Sequence, residues 1–190
     1  KSTLKEWFFP PEDKNPLGPL PTIKFKGQDL TEGKFVWFGH STLLMKTEGL
    51  VVMTDPVFNR ASPLPSFSSK SKSSFFNGKP FVFENPILIE DLPKVDVVII
   101  SHDHYDHLDS KAIKDLSNLV DHFIVPLGVG AHLERWGVDK NKITELDWYE
   151  SKSYKDVEFI FAPALHFSGR GITNGNSTLW GSWIVKSKSL

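Results

Sequence analysis

The chain has 190 residues, 39% of them hydrophobic and 24% charged, with a formal net charge of −1, the composition of an ordinary globular domain. A pI near 6.7 without a broad basic field argues against a nucleic-acid partner, and no apolar run reaches the roughly 20 residues that span a bilayer. With no cysteine there is neither a disulfide framework nor a thiolate ligand, which fits a reducing, cytoplasmic compartment and is also compatible with export.

Residues 1–33 are rich in Pro, Lys and polar side chains and read as an N-terminal arm, with an apolar knot at Trp7-Phe8-Phe9 that would anchor it to a domain over residues 34–190. Phe35 to Phe38, Thr42 to Lys46 and Leu50 to Thr54 then read as three short strands of a meander, the second turn being Thr47-Glu48-Gly49. Asp55-Pro56 ends the third strand. A carboxylate there is placed either to accept hydrogen bonds from a neighbouring ligand loop or to form a turn. From Val57 to Pro80 the chain carries two prolines, a serine-rich run and Phe67, Phe75 and Phe76 without any period; this long loop reads as a lid or apolar wall, or else as plain surface.

Val95 to Ile100 is short and almost wholly β-branched, as expected of a strand buried on both faces. Directly after it come Ser101-His102-Asp103-His104-Tyr105-Asp106-His107-Leu108-Asp109. In an extended segment residues two apart point the same way, so His102 and His104 converge on one ion while Asp103 points elsewhere. Asp106 and His107 belong to the following turn and can close on a second ion. Imidazole and carboxylate ligands suit Zn, with Mn or Fe as alternatives. At this composition the pattern His-x-His-x-Asp-His arises by chance in roughly 6 of 10,000 chains of this length.

Asp109 or Ser110 caps a helix read from Ser110 to Val120, whose Ile113, Leu116 and Val120 share a face. His122 to Val125 is a strand, and Val129, Leu133 and Trp136 mark a second helix stopped by Gly137. His122 and His132 lie outside any cluster and read as structural. Val157 to Ala162 and Leu179 to Lys186 are the last strands.

The motif His102-Asp103-His104-Tyr105-Asp106-His107 resembles that of the metallo-β-lactamase superfamily. Trp37-Phe38-Gly39-His40-Ser41-Thr42, Leu50 to Pro56, Arg60-Ala61-Ser62-Pro63, Glu145-Leu146-Asp147-Trp148 and Leu179-Trp180-Gly181-Ser182-Trp183 resemble, within it, the branch of N-acylphosphatidylethanolamine-hydrolysing phospholipase D. The ascorbate-phosphate lactonases are a more distant similarity. The resemblance covers about residues 33 to 186.

It implies an α/β fold, the αββα sandwich, with a metal cluster at one edge. It makes His166, after the strand ending at Ala162, the third ligand of the first ion, and brings His40 to the site as a hydrogen-bonding support. Arg170, four residues past His166, is a candidate to hold a phosphate or carboxylate, or else to form a surface ion pair. The family also uses a bridging Asp and a last His from its C-terminal part. They are not found here, and the first residue is Lys1, so the chain reads as truncated. The activity implied is hydrolysis of a phosphodiester, phospholipid-like or otherwise small, or of a lactone, with Asp106 orienting the metal-activated water. A non-catalytic metal-binding module is the alternative, and a di-iron oxidoreductase a weaker one. A homo-oligomer is compatible with either class.

Overall fold

In the computed structural model, residues 16–59, 82–171 and 173–188 are described. The Trp7-Phe8-Phe9 knot and nearly all of the loop from Val57 to Pro80 lie outside them.

Short β-branched and aliphatic runs build two sheets. β1 (Phe35–Gly39), β2 (Thr42–Thr47) and β3 (Leu50–Thr54) form the antiparallel meander. β4 (Val95–Ile99), β5 (Val120–Pro126) and β6 (Ile143–Leu146) continue it in parallel, giving a six-stranded sheet in chain order. Parallel neighbours need crossovers, and two short helices supply them, α1 (Ser110–Leu116) and α2 (Gly130–Arg135). β7 (Ser151–Tyr154), β8 (Val157–Ala162) and β9 (Ser182–Lys186) form a separate antiparallel sheet.

Burial on both faces of β3, β4 and β5 explains their almost unbroken apolar sequences. On one face Leu44, Met53, Val98, Ile100 and Phe123 pack with Ile113 and Leu116 of α1 and Leu133 of α2. On the other, Met45, Val52, Val97, Ile99 and Ile124 meet Val157, Phe159 and Phe161 of β8, with Trp183 and Val185 of β9 against them. These are the helix, sheet and sheet layers of the αββα sandwich. Among the described residues both α-helices lie on the six-stranded sheet. Leu20 bridges to Phe83 and Leu30 is buried in the first core, so the stretch before β1 is built into this layer. No helix among the described residues is long and apolar enough to cross a membrane.

Two boundaries, and two strands absent from the reading of the sequence, differ most from it. The first helix ends at Leu116 rather than Val120, because Ser117 and Asn118 favour turns over helix and Val120 pairs with Val95 as the first residue of β5. The last strand begins at Ser182: Leu179 donates to the Leu127 carbonyl and Gly181 to that of Ser101, so these residues stitch the second sheet to the first. β6 and β7 were not foreseen. β7, Ser-Lys-Ser-Tyr, is an exposed edge strand without an apolar face to mark it.

Among the described residues Gly181 is the tightest glycine. A Cβ there would lie 2.4 Å from the Ala162 carbonyl oxygen and 2.6 Å from the Phe161 ring. Overpacking of this kind costs about 1–3 kcal/mol, so Gly181→Ala is expected to lower the urea midpoint accordingly at unchanged m-value.

Candidate metal centre

The site forms where β1, β3 and β4 end. Strand β4 stops at Ile99, and the next residues turn across the sheet edge, carrying His102 to Asp109 toward the start of α1. Asp109 caps that helix, accepting from Lys111 N at 2.9 Å and Ala112 N at 3.2 Å. Its other oxygen takes the Asn59 amide at 2.9 Å, which fastens the chain after β3 to the same point.

His102, His104 and His166 meet in one group. His102 Nε2 lies 3.0 Å from His104 Nδ1 and 3.0 Å from His166 Nε2, and the last two are 3.3 Å apart. A neutral imidazole carries a proton on one nitrogen only. With the protons on the outer nitrogens, three lone pairs point at one another, an arrangement that a shared cation resolves. Protonation resolves it poorly: burial of His102, reinforced by the neighbouring His107, His104 and His166, pushes its pKa down to about 3. His104 is lowered as well, by burial first and then by His166.

The second group is His40, Asp106 and His107. His40 Nε2 is 3.1 Å from His107 Nε2 and 3.2 Å from Asp106 Oδ2, and His107 Nε2 is 3.9 Å from the same oxygen. The rings of His102 and His107 stand 4.1 Å apart, so the two groups are neighbours. Nitrogen and carboxylate donors gathered in this way fit divalent cations.

Asp55 organises both groups without joining either. It takes φ +36° at the end of β3, a left-handed conformation uncommon outside glycine. Its carboxylate, 4% exposed as a residue, accepts from Ser101 N at 2.7 Å, Ser101 Oγ at 2.7 Å and His107 Nδ1 at 2.8 Å. Because Ser101 Oγ spends its proton on Asp55, it accepts from His102 Nδ1 at 2.9 Å. One carboxylate thereby assigns both tautomers, leaving Nε2 of His102 and of His107 as bare donors facing their groups. Ser101 was not singled out from the sequence; its place between a buried strand and the first histidine is the only signal it carries.

His40 also has positive φ, +46°, and its carbonyl accepts from Trp37 Nε1 at 2.9 Å. It stands among the donor atoms of the second group, whereas the sequence reading gives it a supporting hydrogen bond. Arg170, read as a residue that holds a substrate anion, has its guanidinium turned onto the loop backbone instead, donating to the carbonyls of Asp103 at 2.6 Å and Leu108 at 2.8 Å. Asp103 points away from His102 and His104; its carboxylate accepts from Gly169 N at 2.6 Å and lies 3.7 Å from His132 Nε2.

The lowered pKa of His102 has a consequence for the metal-free protein. Its unfolded value is 6.5 and its folded value about 3, so the unfolded chain binds more protons between these limits. The stability that comes from keeping His102 neutral is complete above pH 6.5 and drains away as the pH falls toward 3. Melting temperatures measured in chelator are therefore expected to drop from pH 6.5 to 4 more steeply for the parent than for His102→Ala.

Beside β1 lies a cavity of about 800 Å³, with Phe25, Phe35, Trp37, Phe38, Phe58 and Phe83 among its walls. Trp37 and Phe38 directly precede Gly39 and His40, so the apolar space and the second ligand group share one strand end.

Known proteins are similar to this chain over most of its length. The Beta-lactamase superfamily domain matches residues 51–189. An uncharacterized protein of Mycobacterium tuberculosis is 42% identical over 173 residues, covering 88% of this chain and 43% of its own length. The N-acyl-phosphatidylethanolamine-hydrolyzing phospholipase D 1 of Caenorhabditis elegans is 35% identical over 188 residues, covering 92% of this chain and 50% of its own. The chain thus spans about half the length of the curated relatives it matches. Among solved structures, CmlA, a diiron β-hydroxylase from Streptomyces venezuelae, superposes with a TM-score of 0.58 at 21% identity over 80% of this chain and 27% of CmlA. Igni18, a metallo hydrolase from Ignicoccus hospitalis, gives 0.50 at 18% identity, over 80% and 55%. The last two show the fold alone. The extent of the domain match, together with the fold just described, establishes that the chain belongs to the beta-lactamase superfamily, a family of metal-dependent hydrolases.

Proposed function

We propose that the protein hydrolyses a phosphodiester, with zinc at the two ligand groups and a lipid-like substrate. The observation that carries this reading is the adjacency of the His102–His104–His166 and His40–Asp106–His107 groups, held in one tautomeric state by Asp55. Manganese and iron are compatible with the same donors. A bound divalent ion supplies a Lewis acid and a water whose pKa is lowered to about 7. The residues do the rest. The Asp106 side chain is 51% exposed, unlike the buried Asp55, and so faces incoming substrate. Its carboxylate accepts a hydrogen bond from the attacking water and orients it. His40, with Nε2 3.2 Å from Asp106 Oδ2, completes the donor set that would hold the second ion beside it.

Two observations favour a lipid-like diester over a lactone. The nematode relative is named for hydrolysing an N-acylated phospholipid, and the aromatic cavity beside β1 offers apolar area that a small lactone does not need.

The test uses the full-length protein with N-acylphosphatidylethanolamine in mixed micelles and, in parallel, a simple γ-lactone. Release of the N-acylethanolamine, abolished by chelator and restored by zinc, is expected, and Asp106→Asn should reduce it by about 100-fold or more. Cleavage of the lactone alone would replace the substrate assignment. A metal-loaded protein inert toward both would point to the non-catalytic binding module.

A further inference from the structure

We infer that Arg170 is a positioning residue that locks the His166 loop onto the His102–Asp109 loop, so that the three histidines of the first group meet. This rests on the metal reading above.

The two loops are far apart in sequence, and bonds within each do not fix one against the other. Arg170 Nη1 donates to the carbonyls of Asp103 and Leu108, which bracket the segment holding His104, Asp106 and His107. One guanidinium thus spans that segment from end to end. Its flat face lies 4.1 Å from the centre of the Tyr105 ring, within range of a cation–π contact, and the Tyr105 hydroxyl returns a hydrogen bond to the Arg170 carbonyl. The residue before it closes the same joint, with Gly169 N donating to Asp103 Oδ1 at 2.6 Å. Asp103 is fully buried, its carboxylate compensated chiefly by His132, whose Nε2 lies 3.7 Å from Oδ2, with Arg170 adding a weaker attraction. Gly169 has φ +149° and a Cβ there would lie 3.3 Å from Gly175 Cα, so the turn that aims Arg170 inward is itself confined.

His166 sits four residues before this anchor, on the same loop. Its ring reaches His102 and His104 from the exposed side, and neighbouring Leu165 is fully exposed, so core packing does not hold the loop there. Trp180 Nε1 donates to the Ala164 carbonyl and the buried Ser168 hydroxyl to that of Thr178, while the polar tie at Asp103, Leu108 and Tyr105 joins the loop to the His102–Asp109 segment. A lysine keeps the charge but has neither the flat face nor the planar fork.

The experiment compares the parent with Arg170→Lys and the milder Tyr105→Phe, by amide hydrogen exchange and by cobalt(II) titration with visible absorption. In Arg170→Lys the amides of His107 and Leu108, which bond to the His104 carbonyl, and that of Gly169 are expected to exchange about tenfold faster, with β4 and β5 unchanged. Cobalt affinity should fall by 10- to 100-fold with an altered d–d spectrum. Tyr105→Phe should move the same readouts less far. Unchanged loop exchange and an unchanged cobalt spectrum would overturn the inference, as would acceleration spread equally over β4 and β5, which would make Arg170 a general support of the fold. A parent that takes up no cobalt would contradict the metal reading, and the exchange comparison would still decide the role of Arg170.

Discussion

His102→Ala is expected to release the ion of the first group and to lower turnover by about a thousandfold, the worth of several kcal/mol of Lewis-acid stabilisation. The same substitution should leave the chelated protein no less stable than the parent. In the metal-free state His102 sits with its Nε2 against two other imidazoles, at 3.0 Å each, and burial keeps it from accepting the proton that would ease the contact. Removing it relieves that conflict. A histidine whose loss abolishes activity while sparing, or raising, metal-free stability is a ligand; one whose loss unfolds the protein is a core residue. Zinc content, turnover and melting temperature in chelator distinguish the two, and a large fall in metal-free stability would count against the ligand role.

Asp55→Asn is expected to act on both groups at once. An amide can still accept from Ser101 N through its oxygen, but its NH₂ would then face the Ser101 hydroxyl and His107 Nδ1, both of which donate to Asp55 Oδ2. Donors would oppose donors. His107 relieves the clash by moving its proton to Nε2, the atom that faces His40 and Asp106, and Ser101 by reorienting away from its present role toward His102. Zinc affinity should fall by about 10- to 100-fold and stability by about 1–3 kcal/mol, as for a charged hydrogen-bond acceptor lost from a buried site. Calorimetric titration and urea denaturation measure both. A variant with parental zinc affinity would show that the tautomers are set elsewhere.

How much of this could be read from the residues differs along the chain. The ligand loop stood out because His102 to His107 concentrate chemistry that a structural loop does not need, and because a β-branched run such as Val95 to Ile100 announces a buried strand end. The meander and β8 were visible for the same reason. β7 was not, since Ser151 to Tyr154 carries no apolar alternation and pairs only along one edge. The helix at Ser110 was overextended because Val120 keeps the apolar spacing of α1, although its backbone pairs with Val95; periodicity alone does not distinguish a last helical turn from a first strand residue.

Within the site, the parts that bring ligands together were harder to see than the ligands. Arg170 has a side chain that suits an anion equally well by sequence, and only the fold shows it turned onto the carbonyls of Asp103 and Leu108. Ser101 matters through a single hydroxyl placed between Asp55 and His102, partners that are 46 positions and one position away from it. Long-range hydrogen bonds of this kind leave no local pattern. His40 joined the second group because a left-handed residue after β1 turns the chain toward Asp106, a conformation that Gly39-His40 permits without declaring.

The central claim is that these two groups hold metal. Elemental analysis of the full-length protein, purified without added metal or chelator, tests it most directly. About two divalent ions per chain are expected, falling to about one in His102→Ala. A folded, monodisperse protein that carries no stoichiometric metal, and takes none up from zinc or manganese supplied in excess, would contradict it.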